Sequence, residues 1–195
     1  MADPARKRAT YEDVLAAPEH LRAEVIDGEL ILHPRPRRRH IRSASSLGSF
    51  LHGRFDEGFF GPSGWVSLHE PELHLGPEPD IVVPDLAGYR EERYPGDRDD
   101  DDPYFVLAPD WVCEVLSTST ARIDRTKKMP IYAREAVPHV WIVDPRDRTV
   151  EVFRLGLDGY VLAQTWAGED APATLEPFAA VPIPVAAFWG RQLVR

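Results

Sequence analysis

The run Trp111-Val112-Cys113-Glu114-Val115-Leu116 decides how this chain folds. It is short and apolar, bounded by Pro109-Asp110 on one side and Ser117-Thr118 on the other, the pattern of a strand buried on both faces. Strand alternation puts Glu114 on the face of Val112 and Leu116, while Trp111, Cys113 and Val115 point the other way. A helical stretch between Thr120 and Glu135 follows, then a second buried strand, His139-Val140-Trp141-Ile142-Val143-Asp144, ended by Pro145. Strand, helix and strand in that order make a crossover unit, which joins parallel strands.

Hairpins flank this unit. Asp27-Gly28 separates the β-prone runs Ala23 to Ile26 and Glu29 to Leu32, the strongest short hairpin signal there is. Thr149 to Leu155 and Tyr160 to Trp166 form another. Thr10 caps a short helix from Tyr11 to Ala16, with Asp13 at its third position and Pro18 as the stop. After the basic connector Pro34 to Arg39, apolar Ile41, Ala44, Leu47, Leu51 and Phe55 recur at helical spacing. Trp65 to Leu75 and Ile81 to Val83 read as strands around the turn Gly76 to Pro79. Residues 90 to 103, with the acidic run Asp99 to Asp102, read as a solvated surface loop. Pro182-Ile183-Pro184 leads to a terminal helix near Val185 to Phe188. The sum is a mixed β-sheet flanked by helices, of the α/β or α+β class, in one domain spanning residues 1–195 with its core at about 10–189.

The chain has 195 residues, 43% hydrophobic and 28% charged, which suits one globular domain with a real core rather than disorder. Its formal net charge of −9 argues against a protein that coats nucleic acid nonspecifically, because counterion release needs a basic surface. An enzyme that grips a few phosphates locally is still compatible with it. A single cysteine, Cys113, precludes an internal disulfide and suits a cytoplasmic location; it reads as a small core residue. No segment approaches the ~20 apolar residues of a membrane span.

The informative residues are carboxylates in apolar surroundings. Glu114 interrupts a hydrophobic strand, Asp85 closes the strand Ile81-Val82-Val83-Pro84, and Glu24 lies at the entry to the first hairpin. An ionised carboxylate in such a place is costly unless a metal or cation compensates it. Any one of them could make an ordinary ion pair; three together favour a shared site. Carboxylates are the ligands Mg²⁺ takes, together with water and phosphate oxygens. Lys127 and Lys128 supply nearby positive charge, and Asp124, Lys128 and Tyr132 share one helix face by their spacing, provided Pro130 is accommodated by a late helix start or a kink. Pro79-Asp80 competes with Pro84-Asp85, but Asp80 adjoins a turn and reads as a solvated cap. Arg35, Arg37, Arg38, Arg39 and Arg42 could contact phosphates or merely solubilise a loop, and His40 reads more readily as a surface residue than as a substrate contact. The seven histidines show no zinc spacing. Ser117 and Ser119 lack a nearby base and read as a helix cap.

Taken in order, Glu24-Val25-Ile26-Asp27-Gly28-Glu29-Leu30, Val83-Pro84-Asp85, Cys113-Glu114-Val115-Leu116-Ser117, Asp124, Lys128, Tyr132 and Trp141-Ile142-Val143-Asp144-Pro145 resemble the Uma-two family of the PD-(D/E)XK nuclease superfamily. The match runs from about Tyr11 to Phe188. It departs at Ala23, where an aromatic residue is common, at Thr118, where proline is usual, and at Ala136, where glycine is usual. The resemblance implies a restriction-endonuclease-like core and a Mg²⁺-dependent endonuclease, with Mn²⁺ as a substitute, acting on nucleic acid and more readily on DNA than RNA. It gives Asp85 and Glu114 the metal-binding acidic roles, with the Val115 carbonyl as a third ligand. Lys128, on the following helix, takes the lysine role in place of Leu116, and Glu24 the part of an extra catalytic acidic residue. Asp124 and Tyr132 would position Lys128, while Arg39 and His40 would face substrate. A homodimer would suit cleavage of two strands. Two other readings compete: a catalytically silent binding or regulatory module on the same fold, and a structural partner assembling through apolar strands near Trp166 and Trp189.

Overall fold

A computed structural model describes residues 7–96, 101–168 and 171–189. Asp27 and Gly28 take φ of 53° and 76°, as a two-residue hairpin turn with both residues left-handed requires. That turn fixes the register of β1 (Leu21–Ile26) against β2 (Glu29–Pro34), with Arg22 opposite His33 and Glu24 opposite Ile31. β1 also pairs through Val25 with Ile81 of β5 (Asp80–Val82), which pairs with β4 (Leu73–Leu75), giving a four-stranded sheet in the order β2-β1-β5-β4.

The larger sheet has six strands in the order β10-β9-β8-β7-β6-β3. They are β3 (Trp65–His69), β6 (Leu86–Arg90), β7 (Trp111–Val115), β8 (His139–Asp144), β9 (Thr149–Gly156) and β10 (Gly159–Ala167). β7 and β8 are parallel, as a crossover demands, and the remaining pairs are antiparallel. The fold is thus mixed α+β. α1 (Tyr11–Leu15) starts where expected, the Asp13 carboxylate accepting the Thr10 backbone N–H at 2.8 Å. The terminal helix is a 3₁₀ segment, Val185–Trp189.

Two expectations are corrected. Trp65 to Leu75 is not one strand: β3 ends at His69, Glu70 turns through φ 47°, and β4 joins the other sheet. Leu86 to Arg90, which no sequence pattern marked, is β6. Ala87 and Gly88 depress its strand propensity, but packing demands them: a Cβ on Gly88 would stand 3.3 and 3.4 Å from the rings of Trp65 and Trp111.

Alternation along β7 splits the core in two. Trp111, Cys113 and Val115 pack with Trp141, Phe178 and Phe188 and with Leu47 and Leu51 of α2 (Arg38–Leu51), which continues into a π-helical turn, His52–Asp56. Val112 and Leu116 face the small sheet and the crossover helix, against Ile26, Leu73, Val82 and Ile131. Glu114 shares that second face. Cys113 is fully buried, and burial pushes its thiol well above the usual range.

The crossover helix is α3 (Ala121–Ile123), a π-helical turn Asp124–Lys128 and α4 (Met129–Arg134). Pro130 has no N–H to give to the preceding turn and crowds it. The wide turn admits the proline without ending the helix, as π-bulges do. Asp101 and Asp102 are exposed, whereas Asp99, Asp100 and the first six residues of the charged amino terminus lie outside the described residues. Among the described residues no helix is long and apolar enough to cross a membrane. Trp166 and Trp189 are partly buried against the first core cluster, which weakens the reading of them as an exposed assembly surface.

α4 ends with Val137 N–H on the Tyr132 carbonyl at 2.9 Å and Ala136 N–H on Ala133 at 3.1 Å, a Schellman closure that puts Ala136 at φ 58°. A left-handed alanine is strained where glycine is not, which accounts for the expected glycine at this position. Ala136→Gly is expected to raise stability by about 0.5–1 kcal/mol, the strain relieved exceeding the entropy glycine adds to the unfolded chain; urea unfolding showing a loss would refute the strain.

Candidate active site

A cavity of about 260 Å³ opens where β1, the β5–β6 junction, the end of β7 and the crossover helix meet. Crevices beyond the carboxyl ends of parallel strands are where such sheets bind ligands. Glu24, Asp85, Glu114, Asp124 and Lys128 all line it, and none is more than 4% exposed. The groups that sequence reasoning singled out therefore come together.

Lys128 Nζ lies 2.8 Å from Glu114 Oε1, 3.0 Å from Glu24 Oε1 and 3.2 Å from the Val83 carbonyl, with Asp124 Oδ1 at 4.0 Å. Those first three contacts use all three ammonium protons. Glu24 is equally committed. Its Oε1 also accepts the Val83 N–H at 2.7 Å, and its Oε2 lies 2.9 Å from His33 Nε2. Glu24 is thus an anchor for Lys128 and for the strand junction. Tyr132 O–H donates to Glu114 Oε1 at 2.6 Å, so it holds Glu114, in contrast to the expected hold on Lys128. Lys127 points elsewhere, 3.8 Å from Asp27 and from Glu29.

Asp85 sits where the chain leaves the small sheet for the large one. Its Oδ2 accepts the Val115 N–H at 2.7 Å and faces His40 Nε2 at 3.1 Å. Its Oδ1 is buried with no hydrogen-bond partner, the nearest cation being Arg22 at 3.7 Å. Asp80, the competing aspartate, is buried elsewhere: it accepts the Asp27 N–H at 2.6 Å and Arg134 at 2.6 Å, pinning the hairpin turn to α4. It is not the solvated cap expected, yet it does not line the cavity.

His40 is buried rather than superficial, and its Nδ1 has no partner. Arg22 and His33 escaped the sequence reading, although the signal was present. Once Asp27-Gly28 is a two-residue turn, the register places Arg22 and His33 across from each other on the face that carries Glu24. Arg22 is ion-paired to Glu70 and directs a second nitrogen at Asp85. Ser117 does not cap the crossover helix, whose N-cap is Thr120; its Oγ accepts the Thr120 N–H at 3.2 Å in the turn before the helix, and with Thr118 and Ser119 it lines the cavity. Arg35, Arg37, Arg38, Arg39 and Arg42 are all exposed.

The electrostatics follow from crowding. Four buried carboxylates crowd around two fixed cations, Lys128 and Arg22, so full ionisation would leave two negative charges unmatched. Burial pushes the Glu114 carboxyl up to about 8 against the pull of Lys128, with Asp124, Asp85 and Glu24 adding to the rise. Burial likewise raises Asp124 to about 6, opposed by Lys128 and by a bond to the Thr120 side chain. Glu24 goes the other way: burial opposes ionisation, but Lys128, His33 and the Val83 N–H bring it down to about 2. Lys128 is raised despite burial, because Glu114, Glu24 and Asp124 surround it.

Among the described residues no three His, Cys, Asp or Glu side chains form a ready metal cage. Mg²⁺ does not need one: it keeps several waters and takes one or two carboxylates plus substrate phosphate. The unpartnered Asp85 oxygen, the crowding of more carboxylates than cations and an all-oxygen donor set of Asp85, Glu114 and the adjacent main chain at Val115 fit such an ion.

A family model described as "Uma2: Putative restriction endonuclease" matches residues 9–186. Among solved structures, the chain is similar to one described as "a putative nuclease belonging to DUF820" from Anabaena variabilis, with 22% identity, a TM-score of 0.72, and 93% of this chain and 97% of that chain covered. At that identity the likeness shows the fold alone. No curated protein matches the chain significantly.

Two outcomes follow for stability, measured in EDTA by urea unfolding. Tyr132→Phe strips a buried carboxylate of a donor and is expected to cost about 1–3 kcal/mol; no loss would mean the hydroxyl is replaceable. For pH the signs oppose each other. Glu24, lowered from 4.5 to about 2, gives stability that is present above 4.5 and lost as pH falls through the lower value. Glu114, raised from 4.5 to about 8, gives stability that is lost as pH climbs between those values. Glu114→Gln is expected to flatten that alkaline-side decline, and mutant and wild-type curves running parallel there would contradict the assignment.

Proposed function

The chain belongs to the Uma2 family, and from that premise we propose that it is a divalent-metal-dependent endonuclease that hydrolyses phosphodiester bonds, those of DNA ahead of RNA, in the cavity between β1, β7 and the crossover helix. The observation that carries this reading is the meeting of Asp85, Glu114 and Lys128 in one buried, carboxylate-crowded pocket with an unpartnered Asp85 oxygen. A restriction endonuclease description favours DNA. Asp85, Glu114 and the Val115 carbonyl are the groups that would hold Mg²⁺. When bound there, the ion supplies Lewis-acid charge that strengthens a water nucleophile and offsets the charge on phosphate and leaving oxygen.

The chain's own residues do the rest. Water oxygen adds to phosphorus, the ester P–O bond breaks, and the proton that the water gives up ends on the departing oxygen, which leaves as an alcohol. Lys128 holds a fixed positive charge beside the developing negative charge, preorganised by Glu24 so that it does not reorient during the reaction. Its longest hydrogen bond, 3.2 Å to the Val83 carbonyl, is the one a water most readily replaces. Tyr132 keeps Glu114 in its rotamer, and the Val115 N–H keeps Asp85 in its own. The exposed arginines of the Pro34–Arg39 connector and of α2, Arg39 among them, attract the phosphate backbone locally on a chain whose net charge is −9. His40, against Asp85, faces the same mouth.

Purified Asp85→Asn and Glu114→Gln proteins with native circular dichroism are each expected to lose at least about a hundred-fold in Mg²⁺-dependent cleavage of DNA, and EDTA is expected to silence the wild type. Wild-type protein that cleaves neither DNA nor RNA in Mg²⁺ or Mn²⁺, and binds neither ion by calorimetry, would place the fold among binding modules instead.

A further inference from the structure

The site is reached by a track rather than from an open face. Beside the main cavity lies a second depression of about 240 Å³ toward Arg146, sharing Arg37, His40, Ser117 and Thr118 with it. On the other side a third, of about 330 Å³, shares Arg35, Pro36, His40 and Asp85 and runs on to Ile41, Ala44 and His69. All three are lined in part by His40, which stands against Asp85. Each is near the lower limit of about 300 Å³ for small-ligand pockets, room for one sugar-phosphate unit and not for a stack of pairs. The connector wall is stiffened by Pro34 and Pro36, whose rings fix φ. Across from it stand the hydroxyl side chains of Ser117 to Thr120.

Burial sharpens the constraint. No carboxylate of the site, nor Lys128, is more than 4% exposed, so only a phosphate that enters the cavity can meet them. Enzymes that act inside such pockets either take an unpaired strand or pay the unstacking energy of a pair. The track also carries what a single strand uses: cations along the backbone path at Arg35, Arg37 and Arg39, and a ring and an apolar side chain, His69 and half-exposed Ile41, for base stacking.

We infer that the substrate of this site is an unpaired DNA strand, such as a single-stranded segment or a tail, threaded along the three linked depressions, and that intact duplex is excluded by the walls. The inference rests on the nuclease reading for its chemistry, but strand choice is readable without turnover. The test uses the full chain and three labelled oligonucleotides: a single strand, its blunt duplex, and that duplex with an unpaired tail. In EDTA, fluorescence anisotropy is expected to show the single strand bound at least about ten-fold tighter than the blunt duplex. In Mg²⁺, cuts are expected in the single strand and in the tail. Blunt duplex bound as tightly as the single strand, or cut as fast, overturns the inference. If nothing is cut, the nuclease reading falls alone, and the anisotropy ratio still decides strand preference. Ile41→Ser, uncharged and at an exposed position outside the carboxylate cluster, is expected to weaken single-strand binding several-fold through the lost apolar contact; unchanged affinity would remove the track.

Discussion

Everything in the site depends on one ammonium group. Lys128 is buried, and a buried charge is tolerated only with its partners in place. Here the partners come from β1, from the end of β7 and from the β5–β6 junction, so a single side chain ties both sheets to the crossover helix. The same arrangement explains the opposite behaviour of the two glutamates. Glu24 meets Lys128, an imidazole and an amide and ionises easily, whereas Glu114 meets Lys128 in the company of three other carboxylates and resists ionisation. Neighbouring acids with values driven apart are a frequent mark of sites that do chemistry.

Much of this was legible in the sequence because it rests on local rules. Asp27-Gly28 dictates a turn, and through the turn a register. Glu114 among Val112, Cys113 and Val115 is a local contradiction that only a tertiary partner resolves, and such contradictions tend to mark function. What stayed hidden depends on distant packing. β6 could not be read because Gly88 is chosen by the tryptophans on either side and Ala87 by the second core cluster on the other face. Asp80 looked solvated because Arg134, its partner, arrives from a helix 54 residues later. His40 looked superficial because its burial requires Asp85, which lies 45 residues away. Tyr132 was placed on the right face but given the wrong neighbour, since helical spacing tells which side chains align and not which atoms meet.

The charge distribution reconciles an acidic chain with an anionic substrate. The negative excess includes buried carboxylates crowded at the bottom of the cavity, while exposed arginines stand at its rim. A polyanion is met by cations first. At physiological salt, exposed charges farther apart than about 8 Å are largely screened from one another, so the rim is what an approaching strand senses.

The π-helical turn at Asp124–Lys128 has a consequence for how this protein can vary. It holds one surplus residue, and the wider winding absorbs it, so that the turn rotates the chain about as far as an α-helix does with one residue fewer. A further insertion would exceed what the turn absorbs and swing Met129–Arg134 through about 100°. Tyr132 would swing off Glu114, and Ile131 would leave the core it fills. Lineages carrying this architecture should therefore accept loss of the surplus residue more readily than a second insertion.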